Sequence, residues 1–198
     1  MSHIYIATSR FNDQTWNENS EFRNKHNFKG CIYGAPLQIA VKIPLNSPVF
    51  IVEMNNSTNK IEGIGLIKNL IQFDKYYQVY KTGNYNRYTY KSNYRIDRAV
   101  LENYNLKMVN LFDHILFKEK THMKRGSGIT TIPEKLLKHK LCTGFDFKME
   151  LRELFQRYFN ECIVRRSVAE GEGEQMESVD SSRRILETPK ETDSEEKN

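Results

Sequence analysis

The pattern of apolar and polar residues in the first third of the chain predicts a β-hairpin. Residues 48–54 are a compact run of β-branched and aromatic side chains, and residues 60–67 are a second apolar run with two glycines. The polar residues 55–59 separate the two runs. Short apolar runs on either side of an Asn-rich turn are typical of paired antiparallel strands. The sequence therefore predicts a hairpin over 48–67.

Composition predicts further strands on both sides of this hairpin. Residues 3–8 and 88–96 contain the Ile, Thr and Tyr residues that favour strands, and residues 76–80 fit a shorter, weaker strand. Residues 9–30 are polar and rich in Asn, with the single tryptophan, Trp16. That stretch predicts a long loop, and loops of such length are often functional.

Helical periodicity appears in the second half of the chain. Apolar residues at i, i+3, i+4, i+7 and i+8 predict a helix over about 104–117; they are Met108, Leu111, Phe112, Ile115 and Leu116. Pro133 suits the first turn of a short helix at about 133–140. A longer amphipathic pattern predicts a helix at about 146–164. Strands and helices in this mixed order predict an α+β domain.

Charge divides the chain into two parts. Residues 168–198 contain ten acidic residues, four basic residues and no aromatic residue, although the whole chain has a formal net charge of +5. A segment with so few apolar side chains cannot offset its chain entropy by burial. The sequence therefore predicts a folded basic domain at 1–166 and a disordered acidic tail at 167–198. A basic domain attracts polyanions such as nucleic acid, and the tail is a candidate for binding a protein partner.

Composition also argues against several classes of protein. No run of apolar residues approaches the roughly 18 that a membrane-spanning helix needs, so we expect no membrane partner. The first residues lack the basic and apolar regions of a secretory signal. The three cysteines form no Cys-x-x-Cys pair. These features favour an intracellular protein, cytoplasmic or nuclear, and we expect no cofactor and no metal.

Gly63 and Gly65 alternate on one face of the second hairpin strand. Without side chains on that face, another backbone or a ligand can approach closely, and a bulge or a barrel corner explains the same pattern. Neither these glycines nor Gly126 and Gly128 form a phosphate-binding fingerprint, so nucleotide hydrolysis is not predicted.

A tyrosine-rich segment carries a functional signal. Eight of the eleven tyrosines lie between residues 76 and 104, where basic residues interleave with them. Cations for phosphates beside aromatic rings for stacking are typical of surfaces that bind single-stranded nucleic acid. For any one tyrosine, core or cross-strand packing is the better explanation. As a whole, the segment predicts nucleic-acid binding, with Lys81, Arg87 and Lys91 as candidate backbone contacts.

A basic loop follows the first predicted helix. Its residues Lys118, Lys120, His122, Lys124 and Arg125 precede the flexible sequence Gly126-Ser127-Gly128. Exposed donors of this kind suit backbone phosphates, and a merely solvated charged loop explains the pattern almost as well. Lys124 and Arg125 are therefore further candidate contacts to a nucleic-acid backbone.

Signals for catalysis are weak. No Ser-His-Asp, Cys-His or paired-carboxylate arrangement has local context, so no catalytic residue is predicted. Glu53, Glu62 and Asp146 give a faint indication of a metal-dependent nuclease. His114 and His122 do not have the i, i+4 spacing of metal ligands on a helix.

Several short motifs together resemble the PUA-like superfamily, particularly its YTH and EVE branches. The strand at 48–54, the polar turn and the strand with Gly63-Ile64-Gly65-Leu66 are similar to the central hairpin of those domains. Lys81-Thr82-Gly83 and the aromatic, basic strand after it are similar to a YTH turn and strand. His122 to Gly128, running into Ile132-Pro133-Glu134-Lys135, resembles the basic loop before their last helix.

The resemblance covers roughly residues 3–140 and implies a small mixed β-barrel, flanked by helices, that holds a base in an aromatic-lined pocket. Carried over by position, the pocket residues are Thr8, Ser9, Trp16, Phe73, Tyr76, Tyr77 and Tyr80. Lys81, Arg87 and Arg125 would contact the backbone of a nucleic acid, with RNA favoured over DNA.

The chain departs from the YTH pattern at one point. Ile6-Ala7 stands where YTH domains place a cage tryptophan, and only Phe and Tyr follow the hairpin where they place a second. The resemblance therefore implies a base, modified or not, held by hydrogen bonds and tyrosine stacking. A metal-dependent nuclease and a protein-interaction module acting through the acidic tail remain the alternatives.

Overall fold

The computed structural model describes residues 4–118, 120 and 122–162, and it has an α+β fold with a mixed sheet. The strands are β1 (Tyr5–Phe11), β2 (Cys31–Ala35), β3 (Pro48–Asn55), β4 (Lys60–Lys68), β5 (Tyr88–Ser92), β6 (Tyr94–Asp97) and β7 (Thr130–Thr131). The helices are α1 (Asp13–Lys25), α2 (Arg98–Phe117), α3 (Glu134–Leu137) and α4 (147–162). Two short 3₁₀ helices span Gly83–Asn86 and Lys140–Cys142.

The chain divides into two compact units, Met1–Glu153 and Leu154–Asn198. In the described part of the second unit, the ring of Phe159 lies 5.8 Å from that of Phe155 and 5.0 Å from that of Tyr158. The sites discussed below belong to the first unit. The predicted tail at 167–198 lies outside the described residues, so the tail and the predicted domain boundary stay predictions.

The predicted hairpin is confirmed and forms the centre of the larger sheet. That sheet has the strand order β6-β4-β3-β1-β7. β1 pairs in parallel with β3, whereas the β3–β4, β4–β6 and β1–β7 pairs are antiparallel. The β3–β4 register shifts between Glu53 and Met54, opposite Gly63. The extra residue is Glu62, so the bulge offered as an explanation for the glycines exists in β4 itself, next to Gly63.

A second sheet of two antiparallel strands, β2 and β5, lies against the first. Contact is close at Gly65, where an added Cβ would overlap the Tyr33 hydroxyl and lie 2.7 Å from Cys31 Sγ. Within the described residues the strands form these two sheets, and their ladders do not close into a barrel. The α+β class is confirmed, and the small barrel is not.

The prediction of a long loop at 9–30 is wrong. β1 continues to Phe11, α1 follows, and β2 begins at Cys31. α1 starts with a reciprocal cap, because Asn12 Oδ1 accepts from the Thr15 N–H at 2.8 Å and Thr15 Oγ1 accepts from the Asn12 N–H at 3.0 Å. The helix has polar residues on its buried face, Glu18 and Asn19 among them, so it lacks the apolar periodicity that indicates a helix.

Two strand predictions also need correction. The segment predicted as one strand at 88–96 is two strands, β5 and β6, which belong to different sheets. The weak strand at 76–80 is absent, because the N–H groups of Val79 and Tyr80 donate to Asn86 Oδ1, at 3.0 and 2.9 Å, instead of to a neighbouring strand.

The helix predictions hold with shifted boundaries. α2 begins at Arg98 rather than 104, but Asn105 has non-helical angles (φ −157°, ψ 75°) and its side chain accepts from the Met108 N–H at 2.9 Å. Asn105 therefore caps the second half of α2, which is the half that periodicity predicts. The helix predicted at 133–140 is the short α3 with Pro133 just before it. α4 is described to residue 162, so the predicted end at 164 lies outside the described residues.

A search of the described residues for a helix long and apolar enough to cross a membrane finds none.

Candidate functional site

A small cavity of about 200 Å³ lies beside the end of β1. Its walls come from β1, the start of α1, β2, the turn after β3, the segment around Tyr80 and the loop before β7. The lining residues used below are Ser9, Arg10, Phe11, Thr15, Gly34, Asn56, Tyr80, Tyr85 and the loop Gly126-Ser127-Gly128. Pockets for drug-sized ligands run from about 300 to 1,000 Å³. The small cavity therefore suits a single small ring.

Arg10 joins β1 to the loop that closes one side of the small cavity. Its Nε donates to the Met123 carbonyl, and its Nη1 donates to the Gly128 carbonyl at 3.3 Å and to Thr130 Oγ1 at 3.1 Å. Nη2 has no hydrogen-bond partner among the described residues. Burial lowers the pKa of the Arg10 guanidinium, which nevertheless stays charged. The cavity wall therefore holds a fixed positive charge, and Nη2 is a donor that a ligand could use.

Asn56 supplies an acceptor in the wall of the small cavity. Its N–H donates to the Phe11 carbonyl at 2.7 Å, and its Nδ2 donates to the Lys124 carbonyl at 3.0 Å. Its Oδ1 is the one buried side-chain polar atom without a hydrogen-bond partner in the described part of the chain. An unsatisfied buried acceptor costs about 1–3 kcal/mol. Oδ1 is itself out of contact with solvent, so a ligand in the cavity could become its partner and recover part of this free energy only after the Asn56 side chain turns toward the cavity.

Two tyrosines form an aromatic wall. Tyr80 is buried, Tyr85 is 38% exposed, and their rings are perpendicular with centroids 6.2 Å apart. The absence of a side chain at Gly34 makes room for both tyrosines, because a Cβ there would overlap the Tyr85 carbonyl and lie 3.0 Å from Tyr80 Cε2. Asn19 Nδ2 donates to the Tyr80 hydroxyl at 3.1 Å, and burial raises the pKa of that hydroxyl. Tyr80 is therefore fixed and neutral.

The structure brings some predicted pocket residues together and separates others. Ser9 and Tyr80 line the small cavity. Thr8 is fully buried, and its Oγ1 donates to the Thr130 carbonyl at 3.4 Å. Trp16 is one layer away, with its ring 5.2 Å from that of Phe11 in an edge contact. Phe11 lines the cavity, so Trp16 supports the wall without reaching the space.

The other predicted pocket aromatics lie along a second, larger cavity of about 580 Å³, or beside it. Tyr76, Tyr77 and Tyr80 line this large cavity together with residues from the second half of α1. Tyr77 is buried, and its hydroxyl donates to Asp74 Oδ2 at 2.7 Å. Phe73 is 83% exposed and lines neither cavity. Tyr80 alone among the predicted residues lines both.

The predicted backbone contacts fall into two groups. Lys124 and Arg125 directly precede the glycine loop of the small cavity, and Lys81 lines the large cavity. Arg87 lies over the ring of Tyr88 at 5.3 Å, and Lys91 lies over the ring of Phe28 at 4.6 Å. The first group is placed to contact a ligand, whereas the second is engaged with aromatic rings on the protein itself.

The carboxylates of the nuclease alternative have internal partners. Glu53 is buried, and its carboxylate accepts from Arg95 Nε and Nη2 at 2.9 and 2.7 Å and from the Tyr33 hydroxyl at 2.7 Å. Glu62 Oε1 accepts from Asn55 Nδ2 at 2.8 Å. Asp146 Oδ1 accepts from two N–H groups in the first turn of α4. No group of three or more His, Cys, Asp or Glu side chains placed to hold a metal occurs in the described part of the chain.

Among the residues of the small cavity that sequence reasoning missed, four matter for its chemistry. Arg10 follows the predicted first strand, Gly34 interrupts a short apolar run, Asn56 belongs to the predicted turn, and Tyr85 belongs to the tyrosine-rich segment. Only Tyr85 belongs to a pattern that indicated a ligand. The other three become neighbours through pairing and packing between distant segments.

Comparisons of this chain with protein-family models, curated proteins and solved structures found no match.

Proposed function

We propose that this protein binds single-stranded nucleic acid, RNA in preference to DNA, and holds one base in the small cavity. The observation that carries the proposal is the small cavity itself, where a guanidinium donor, an unpaired acceptor and a fixed pair of tyrosines meet beside a basic loop. The resemblance to YTH and EVE domains supports RNA as the polymer. We also infer that the two packed sheets correspond to the small barrel of that superfamily.

Hydrogen bonding and stacking support a base as the occupant. Nucleobases carry acceptors and donors on one planar ring, which matches the spare Nη2 of Arg10 and the unpaired Oδ1 of Asn56. The partly exposed ring of Tyr85 offers a stacking surface, and stacking of a base on an aromatic side chain is tolerant of base identity. Selectivity between bases then depends on the polar pair, Arg10 and Asn56.

The rim of the small cavity supports contacts to the polymer backbone. Lys124 and Arg125 lead into Gly126, Ser127 and Gly128, where the absence of bulky side chains lets a phosphate approach the main chain. Such contacts give affinity that depends on salt and not on sequence. Binding therefore has two components, a base-dependent one from the cavity and a salt-dependent one from the rim.

Cavity filling tests the proposal. Ser9 lines the small cavity, so Ser9→Leu should occupy it, whereas Ser9→Ala keeps the space open. We expect Ser9→Leu to lower the affinity of the full chain for its preferred labelled RNA octamer at least tenfold, with little change for Ser9→Ala. Fluorescence anisotropy with A, C and U octamers, with and without N6-methyladenine, measures this at several salt concentrations.

Thermal unfolding of both Ser9 variants provides the control. If Ser9→Leu keeps its Tm and binds every octamer as the unaltered protein does, the cavity does not take a base. If the unaltered protein shows no preference that survives high salt, only a basic surface remains.

A further inference from the structure

The segment at residues 70–82 carries two buried and two exposed aromatic side chains. Tyr77 and Tyr80 are 5% and 3% exposed, whereas Phe73 and Tyr76 are 83% and 67% exposed. An aromatic ring that stays exposed to water contributes no burial free energy to folding. Two exposed rings in one short segment therefore indicate a surface that contacts a ligand or a partner. We call this segment the aromatic segment.

The aromatic segment is held firmly although it contains no helix or strand. Asn86 accepts from the N–H groups of Val79 and Tyr80 through Oδ1, and it donates to the Tyr80 carbonyl through Nδ2 at 2.7 Å. Tyr77 bonds to Asp74, and the Gln72 N–H donates to the Thr89 carbonyl at 2.8 Å. The exposed rings therefore project from a fixed backbone, and little ordering entropy opposes stacking on them.

The large cavity between the aromatic segment and α1 carries positive charge. Lys25, Lys75 and Lys81 line it, with the carboxylates of Glu18 and Glu21. Glu18 is already engaged, because its Oε1 accepts from Gln14 Nε2 at 3.0 Å and its Oε2 accepts from the Lys81 N–H at 3.2 Å. Three lysines against two carboxylates leave the lining with a small excess of positive charge.

The large cavity and the small cavity lie next to each other. Tyr80 lines both, and on α1 Thr15 lines the small cavity whereas Glu18 lines the large one. Thr15 and Glu18 are three residues apart, about one helical turn or 5 Å along the axis. A strand with one base in the small cavity therefore reaches the large cavity with its next nucleotide.

We propose that the large cavity is a second nucleotide site, in which the neighbouring base stacks on Tyr76 and the lysines contact the phosphates on either side. This proposal rests on the proposed function of the small cavity. Exposed aromatic rings among cations are the features of a surface that binds single-stranded nucleic acid. Phe73, on the same segment and outside the lining, extends the stacking surface to a third base.

Ligand length separates the two sites. A nucleoside monophosphate can bind in either cavity, so monophosphate binding is followed here only through the NMR signals of residues that line the small cavity. An octamer reaches both cavities. Stacking on one aromatic ring contributes about 5-fold or more in affinity, so Tyr76→Ala should weaken octamer binding by at least that factor and leave monophosphate binding unchanged. The full chain is titrated with each of the four monophosphates by NMR, and with a labelled mixed-sequence RNA octamer by anisotropy.

Two control variants make the outcomes distinct. Tyr94 is 51% exposed on β6 and lines neither cavity, so Tyr94→Ala should leave both affinities unchanged. Ser9→Leu should abolish monophosphate binding and reduce octamer binding.

Octamer binding that is unchanged in Tyr76→Ala, while Ser9→Leu still removes the monophosphate, would overturn the second site and leave the small cavity intact. Monophosphate binding that survives Ser9→Leu would instead contradict the proposed function. A larger loss in Tyr94→Ala than in Tyr76→Ala would place the polymer on another face and also overturn the second site.

Discussion

Two regions of the first unit use the same kinds of residue in opposite ways. In each, a strand glycine makes room for tyrosine rings beside an arginine: Gly65 with Tyr33 and Arg95, and Gly34 with Tyr80 and Arg10. The first region, the buried cluster of Tyr33, Glu53 and Arg95, is closed. The second, the small cavity, is open.

The difference between the two regions lies in how completely their polar atoms are paired. Burial by itself lowers the pKa of Arg95, but the Glu53 carboxylate outweighs burial and raises it. Arg95 also pairs with Asp97 at the surface. In the small cavity, by contrast, Asn56 Oδ1 is without a partner among the described residues, and the hydrogen bonds of Arg10 to the described residues come from Nε and Nη1 and leave Nη2 unused. Fully paired polar groups indicate a structural role, and unpaired ones around a space indicate a ligand.

The largest expected effect is on the stability of the buried cluster. Arg95→Met leaves the Glu53 carboxylate buried without its guanidinium partner, which should lower the free energy of unfolding by about 3–5 kcal/mol. Urea unfolding measures this. Arg98→Met is the matched control, because the Arg98–Asp113 pair is partly exposed and should contribute much less. Equal losses in both variants would show that the buried cluster has no special role.

A pair of glycine substitutions sharpens the comparison. Gly65→Ala places a methyl group against the Tyr33 hydroxyl and Cys31 Sγ, so it should cost about 1–3 kcal/mol of stability and leave nucleic-acid affinity unchanged in the folded fraction. Gly34→Ala places its Cβ in overlap with the Tyr85 carbonyl and 3.0 Å from the ring of Tyr80. Because one of these contacts is with the backbone, we expect a comparable loss of stability, together with at least a tenfold loss of octamer affinity in the folded fraction.

Unfolding and anisotropy measured on the same two glycine variants decide between the outcomes. If Gly65→Ala weakens binding at least as much as Gly34→Ala, the division into a structural and a functional region is wrong.

Cations at the rim of the small cavity should affect binding without affecting stability. Lys124→Ala and Arg125→Ala should each weaken binding to all octamers alike and reduce the slope of log affinity against log salt by about 1. Their free energies of unfolding should change by no more than about 0.5 kcal/mol. Arg87→Ala serves as the comparison, since Arg87 lies over Tyr88. A reduced slope in Arg87→Ala alone would move the backbone contacts from the rim of the small cavity to the start of β5.

The smallest effect that we expect concerns the thiol of Cys31, which is buried beside the cluster of Tyr33, Glu53 and Arg95. Burial raises the pKa of Cys31 to about 12, so almost no thiolate forms at pH 8 and alkylation should be slow in the folded state. Because the folded pKa lies above the unfolded value, stability should fall as the pH rises above about 9. Iodoacetamide labelling followed by peptide mass analysis compares Cys31 with Cys162, which is partly exposed. Rapid labelling of Cys31 at pH 8 would show that this region opens.

Local patterns predicted the elements whose signal lies in their own residues. The hairpin of β3 and β4 has two apolar runs around an Asn-rich turn, and the second half of α2 has regular apolar spacing. α1 was not predicted because its buried residues Glu18 and Asn19 are polar. Their side chains form hydrogen bonds with the backbone of other segments of the chain. Pairing with distant segments cannot be recognised from such residues alone.

The candidate site was predictable only in part, for the same reason. The tyrosine-rich segment indicated a ligand, and Ser9 and Tyr80 do line the small cavity. Sequence could not separate the buried Tyr77 from the exposed Tyr76, because their exposure depends on Asp74 and on the packing of α1. Arg10, Gly34 and Asn56 act together only after β1, β2 and the turn after β3 are brought side by side.

An abasic scan shows whether one base of a bound RNA occupies the small cavity. A mixed-sequence RNA octamer that binds the full chain is prepared in eight forms, each lacking the base at one position, and the affinities are measured at low and high salt. We expect one position where loss of the base lowers the affinity at least tenfold at both salt concentrations, and we expect Ser9→Leu to remove this difference. Equal affinities for all eight forms would show that no single base occupies the small cavity.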